Sequence, residues 1–179
     1  MKLFFVSLGC DKNLVDAEEM LGALTANGFQ ITDDEAKADV IVVNTCCFIH
    51  DAKEESIQSI LEMADYKENG NCKVLAVTGC LAQRYQKEIT KEIPEVDVVL
   101  GTNSMDHIVD AIKSALAGIV THVFEPLCGL PQMEGKRVMT TGGSYEYLKI
   151  AEGCDKHCTY YNTLRHLVTT LKKIVYTID

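Results

Sequence analysis

An α/β fold, built on an open five-stranded parallel sheet with helices on both faces, is predicted by three features of the 179-residue sequence. Short β-branched runs alternate with longer amphipathic runs five times over residues 1–118. The short runs are continuously apolar rather than alternating, as strands covered on both faces are. Each junction carries Gly, Asn, Asp or Pro, which break one element and start the next.

Lys2 to Ser7 is apolar without alternation and reads as the first buried strand, with Cys10 just beyond its end. Asn13 to Ala26 spaces Leu14, Val15, Ala17, Leu21, Leu24 and Thr25 as a helix, and Gly28 stops it. Phe29 to Thr32 is a brief second strand, and Asp33 to Ala38 an acidic connection. Asp39 to Asn44 is the clearest buried strand, β-branched through its centre and followed at once by Thr45-Cys46-Cys47. The helix from about Asp51 to Tyr66 puts Ile57, Ile60, Leu61 and Ala64 on one face, with Glu54, Glu55, Gln58 and Glu62 largely on the other. Lys73 to Thr78 is the fourth strand and Gly79-Cys80 its turn, and Gln83 to Ile93 is a polar helix closed by Pro94. Val96 to Leu100 is the fifth strand, and Ser104 to Leu116 a helix with Ser104 as N-cap. Such a sheet is flavodoxin- or Rossmann-like, with the common strand order 2-1-3-4-5. Residues 119–143 hold Pro126, Pro131 and several glycines and read as a linker. Ser144 to Ala151 is a strand that opens a second unit, spanning 144–179.

A formal net charge of −9 and a pI near 5.0 argue against a broad phosphate-tracking surface, which needs clustered Lys and Arg. No direct nucleic-acid contact is expected, and the acidic body favours a basic partner. No run approaches the roughly 20 apolar residues of a membrane span. The start, Met1 to Cys10, imitates a lipoprotein leader, but its apolar run is far shorter than the roughly 7 to 15 residues of a signal core. Eight cysteines in a chain able to build a core fit reduced thiols in the cytoplasm better than a disulfide scaffold.

Cys10, Cys46 and Cys80 each fall just past the C-terminal end of the first, third and fourth strands. In an open α/β sheet that edge binds ligands, and in the predicted order those strands are neighbours. A free cysteine is often only a small buried hydrophobe. Three at equivalent positions on three adjacent strands point instead to a shared metal or cluster. Cys47, Cys72 and Cys128 lack this register and read as bystanders. Structural zinc needs four closed ligands, and His50 is the one nearby candidate for a fourth, whereas an iron-sulfur cluster tolerates three cysteines and an open iron. A flavin or nucleotide could use the same edge, although no G-x-G-x-x-G or P-loop is present. A redox pair such as Cys46 and Cys47 is a further reading. His107, His122 and His166 are isolated, and Asp16, Glu18 and Glu19 open a helix, where acids suit the dipole. Downstream, Cys154 and Cys158 stand four positions apart in a turn, close enough in sequence to share one metal centre.

Ser7-Leu8-Gly9-Cys10-Asp11-Lys12-Asn13-Leu14-Val15-Asp16, Val43-Asn44-Thr45-Cys46 and Thr78-Gly79-Cys80 with Gln83-Arg84-Tyr85 resemble the N-terminal domain of the radical-SAM methylthiotransferases. Tyr147 to Cys158 resembles the entry to their catalytic barrel. The Lys-Asn-Leu-Val-Asp form of the first turn is more similar to the RimO branch, which modifies an aspartate of a small-subunit ribosomal protein, than to the branches that modify tRNA adenosines. The resemblance implies that Cys10, Cys46 and Cys80 hold an auxiliary 4Fe-4S cluster whose open iron presents the sulfur to be inserted. It implies that Cys154 and Cys158 are the first two ligands, in C-x3-C-x2-C, of a second 4Fe-4S cluster. That cluster binds S-adenosylmethionine and generates a 5'-deoxyadenosyl radical, and a second S-adenosylmethionine gives the methyl group.

The pattern breaks at Tyr161, which stands where the third cysteine belongs; a phenol with a pKa near 10 is a poor substitute for a thiolate. Few residues follow before Asp179, whereas a barrel takes about 200 or more. The expectation is a methylthiotransferase truncated after the start of its radical-SAM domain. Residues 1–118 form the auxiliary-cluster domain, 119–143 the linker, and 144–179 a barrel fragment with an atypical tail. Alone, such a chain is expected to act as a non-catalytic cluster-binding module.

Overall fold

The computed structural model describes residues 1–126, 136–142 and 145–149. In order they form β1 (Lys2–Ser7), α1 (Asp11–Ala26), β2 (Gln30–Ile31), a 3-10 turn (Glu35–Lys37), β3 (Val40–Thr45) and α2 (His50–Asn69). There follow β4 (Val74–Gly79), α3 (Cys80–Arg84), α4 (Gln86–Glu92), β5 (Val98–Leu100), a second 3-10 turn (Met105–His107), α5 (Ile108–Leu116) and β6 (Thr121–Val123). The strands make one sheet in the order β2-β1-β3-β4-β5-β6, every pair parallel. The predicted order 2-1-3-4-5 holds. The sheet has six strands rather than five, the sixth lying in the stretch read as linker.

Pleating divides the core. Leu3, Val40, Val42, Val74, Ala76, Val98 and Leu100 pack with Met20, Leu24, Ile108 and Ile112 from α1 and α5. Ile41, Val43, Leu75, Val77 and Val99 pack with Ile60, Leu81 and Ile89 from α2, α3 and α4. Side chains one residue apart on a strand face opposite ways, so continuously apolar strands are what two helical layers require. β3 and β4 are buried along their whole lengths.

Four sequence expectations change in detail. The helix predicted over 83–93 is two helices broken at Tyr85 (φ −120°, ψ 33°), and Cys80 is a helical residue rather than part of a turn. Ser104 does not cap a helix with its side chain; its Oγ accepts a hydrogen bond from the Glu125 amide at 2.8 Å. On α2 the buried stripe is Ser56, Ile60 and Ala64, while Ile57 and Leu61 face solvent. The helix is rotated so that a hydroxyl, not an isoleucine, meets the sheet edge. Residues 145–149, expected within a strand, are not strand.

Instead of standing clear of the domain, residues 136–142 and 145–149 lie along α1. A Cβ placed on Gly22 would stand 1.9 Å from the Lys136 carbonyl oxygen, so the two backbones touch there. The Val138 amide donates to the Glu18 carbonyl at 3.1 Å. The Glu18 carboxylate, fully buried, accepts from Arg137 Nε and from the Thr140 amide and hydroxyl, each at 2.6 Å. Asp16 pairs with Lys149, both side chains largely buried. A helix dipole does not require such partners, so the earlier reading of these acids as dipole residues is replaced by one of docking.

Candidate functional site

β1, β3 and β4 are adjacent and end at one edge, and Cys10, Cys46 and Cys80 follow their last residues by three, one and one positions. The three predicted thiols therefore follow neighbouring strand ends at one edge of the sheet. Cys10 is exposed at the N-cap of α1, Cys46 is buried, and Cys80 opens α3 and is partly buried. Burial, together with the neighbouring thiols of Cys47, Cys46 and Cys10, pushes the Cys80 thiol up to about 12, with Lys12 pulling the other way. The thiols of Cys47, Cys46 and Cys10 lie close enough to act on that of Cys80. A metal taken up there would release the protons that its thiol ligands carry.

Asn13 ties the edge together. Its Nδ2 donates to the carbonyls of Leu8 at 3.1 Å and Thr45 at 3.0 Å, and its Oδ1 accepts from the Cys80 thiol at 3.9 Å. Asn44 Nδ2 donates back to the Asn13 carbonyl at 2.9 Å. One buried amide thus joins the loops of all three cysteines. Two glycines allow the close approach. A Cβ on Gly9 would stand 2.9 Å from Cys46 Cβ, and one on Gly79 would stand 2.4 Å from the Thr45 carbonyl oxygen.

Ser56 fixes Cys46 from below. Its Oγ accepts from the Cys46 amide at 3.0 Å and donates to the Cys46 carbonyl at 2.8 Å, entirely buried. Ser56→Ala leaves both backbone groups unpartnered, and about 1–3 kcal/mol of stability should be lost in urea unfolding. Asn13, Asn44 and Ser56 were not assigned roles from the sequence. Asn13 and Asn44 stand inside the quoted motifs, but a polar residue's partner lies more than thirty positions away and spacing alone does not reveal it.

The other candidates fall elsewhere. His50 lies out on α2, its side chain 77% exposed and its Nδ1 3.4 Å from Glu54, so it is not brought to the thiols. His107 lies on the surface near Asp106 and Glu125, and His122 is exposed on β6. Cys72 is a buried thiol donating to the Val74 carbonyl at 3.3 Å, pushed up to about 11 by burial. Cys128, Cys154, Cys158, Tyr161 and His166 lie outside the described residues. Among the described residues no three His, Cys, Asp or Glu side chains are grouped tightly enough to hold one metal ion.

Residues 2–101 match the model of a family described as "Uncharacterized protein family UPF0004". Among curated proteins the chain is 62% identical over 160 residues to "Ribosomal protein uS12 methylthiotransferase RimO" of Lachnoclostridium phytofermentans, covering 89% of this chain and 36% of that protein. It is 53% identical over 156 residues to the protein of that name from Desulforamulus reducens, covering 87% and 35%. It is 50% identical over 161 residues to the one from Trichlorobacter lovleyi, covering 89% and 36%. The chain thus spans little more than a third of the length of these relatives. With the family model covering more than half of it, the chain belongs to the UPF0004 family, in the company of the RimO methylthiotransferases.

Proposed function

We propose that this chain is the cluster-bearing N-terminal part of a transferase that adds a methylthio group to an aspartate of the small-subunit ribosomal protein uS12. The observation that carries the reading is the meeting of Cys10, Cys46 and Cys80 at the C-terminal edge of three adjacent parallel strands, braced by Asn13. The residues fit the group they would hold, because three thiols leave one iron of a 4Fe-4S cluster without a protein ligand. Bound there, the cluster would supply an open iron able to carry sulfur. The chain's own part is to hold the thiols: Ser56 fixes the Cys46 backbone, Asn13 links the loops, and Gly9 and Gly79 let them approach.

The names of the relatives favour a ribosomal-protein substrate over the tRNA-modifying alternative. Cys154 and Cys158 would begin the binding of a second cluster and S-adenosylmethionine. Among the described residues no helix is long and apolar enough to cross a membrane. A second reading, a cluster-binding module without catalysis, is favoured by Tyr161 at the position of the third cysteine of C-x3-C-x2-C.

Anaerobic reconstitution with ferrous iron and sulfide tests the site. About four irons per chain are expected, lost in Cys80→Ala and kept in Cys154→Ala. Loss with Cys154→Ala and retention with Cys80→Ala would reverse the assignment. Methylthiolation of uS12 by the chain in the presence of reductant and S-adenosylmethionine separates the enzyme from the module.

A further inference from the structure

Lys53 and Arg84 converge on one aromatic ring. Lys53 Nζ lies 4.4 Å from the centre of the Tyr85 ring, and the Arg84 guanidinium carbon lies 5.4 Å from it. The two charges therefore stand within about 10 Å of each other, about one Debye length at 0.1 M salt, and repel. A ring face attracts a cation but has no net charge to cancel it.

Carboxylates do not neutralise the pair either. The chain has 26 Asp and Glu against 17 Lys and Arg, and Lys37, Lys67, Lys73, Lys91, Arg137 and Lys149 each pair with an acid. Among the described residues no salt bridge joins Lys53 or Arg84 to one. The residues one turn from Lys53 along α2 are Ile49, His50, Ser56 and Ile57, and those one turn from Arg84 along α3 are Cys80 and Leu81. None of them is an acid. In a chain so acidic, these two neighbouring cations are left for an anion from outside.

The pair borders the thiol edge from the side of α2 and α3. Arg84 ends the short helix that Cys80 begins, and Lys53 is one turn from Ser56, whose Oγ bonds the Cys46 backbone at 3.0 and 2.8 Å. Side chains one turn apart on a helix are about 5–6 Å from each other at Cβ. Ile49, 55% exposed at the N-cap of α2, gives the same surface an apolar margin.

We propose that Lys53 and Arg84, with the Tyr85 ring as floor, bind a side-chain carboxylate, that of the aspartate to be modified. The identity of this ligand rests on the transferase reading above. An aspartate carboxylate lies within two bonds of the β- and α-carbons, so an anchor for it has to border the place where sulfur is delivered. The base of a tRNA adenosine is uncharged and its phosphates lie a sugar away, which gives no reason for two cations beside the thiols. Arg84 offers a planar fork matched to a carboxylate, Lys53 a point charge, and the ring a surface for the methylene.

The test is nuclear magnetic resonance of the full isotope-labelled chain, reduced and free of iron, titrated with aspartate capped as N-acetyl and N-methylamide. Saturable shifts are expected at the Tyr85 amide and the Arg84 Nε–H, absent with capped asparagine and shrinking as sodium chloride is raised. Lys53→Met and Arg84→Gln, each with the circular dichroism of the parent, should weaken binding roughly tenfold or more. Lys37→Met, at the opposite edge of the sheet, should leave it unchanged. Equal shifts with asparagine, no saturable shift, or undiminished binding in both variants would overturn the proposal. So would inorganic phosphate moving the same signals at lower concentration than aspartate, since the site would then suit a nucleic acid. The iron assay is independent of this titration. A chain that takes up iron but not aspartate loses this proposal alone, and one that binds aspartate without iron loses only the cluster reading.

Discussion

Gly79→Ala should destabilise the chain by about 4 kcal/mol or more, placing it in the exceptional class of point substitutions. Gly79 ends β4 with φ +93°, a conformation that costs an L-residue roughly 1–2 kcal/mol. The new Cβ would also stand 2.4 Å from the Thr45 carbonyl oxygen and 2.8 Å from the Thr45 amide nitrogen. Those are backbone atoms of the central strand, and they cannot step aside without breaking the β3–β4 ladder. Gly28→Ala provides the control. Gly28 has φ +88° with nothing within 4 Å of the new Cβ, so only the conformational cost of about 1–2 kcal/mol applies. Urea unfolding of the two variants should separate them clearly, and iron uptake should fall with Gly79→Ala, because Cys80 follows it directly.

Glu18→Ala should release the segment from Lys136 to Lys149 while leaving the sheet folded. Removing one partner of a buried ion pair costs about 3–5 kcal/mol because the other charge is stranded. Arg137 escapes that cost by lifting off α1 into water, so the loss appears as local opening. At roughly 1.4 kcal/mol per tenfold, opening should rise by about 10²–10⁴-fold. Hydrogen exchange at the Val138 and Thr140 amides, which bond to Glu18, reads it directly. Trypsin cleavage at Arg137 should accelerate alongside, while exchange in β3 and β4 stays unchanged.

The same contact predicts a pH dependence. Burial pushes the Glu18 carboxyl up, but its bonds from Thr140 and the charge of Arg137 outweigh that and hold it below the ordinary glutamate range. A depressed folded-state value means that the stabilisation is fully present above the ordinary glutamate pKa and is lost as pH falls through the lower, folded value. The protection factor at Val138, with the base-catalysed intrinsic rate divided out, should therefore be high at neutral pH and fall in acid. A flat profile down to the acid unfolding of the sheet would refute this role for the carboxylate.

Much of the sheet was legible because its signal is local. Continuous apolar runs bounded by breakers specify strands, and the βα alternation specifies a parallel sheet. β6 escaped because Thr121–Val123 is three residues long, carries a central exposed histidine and precedes Pro126. Only tertiary bonds reveal it, such as the Gly101 amide donating to the Val123 carbonyl at 3.0 Å. The break at Tyr85 has no Gly or Pro to announce it. The three thiols of the site were readable from strand ends. The seat of the segment on α1 joins residues more than a hundred positions apart, and no pattern within either stretch records it.

The parallel topology also sets an order of events. Cys10, Cys46 and Cys80 are each separated by more than thirty residues, and a whole strand and helix lie between each pair. Closing such loops is entropically costly before the strands pair, and non-local parallel pairing is slow. A zinc finger gathers its metal with ligands close in sequence and folds around it. Here the unfolded chain offers no such nucleus. That edge exists only once three strands are in register, so on the proposed cluster reading β1, β3 and β4 pair before iron can meet Cys10, Cys46 and Cys80, and loading would follow folding rather than accompany synthesis.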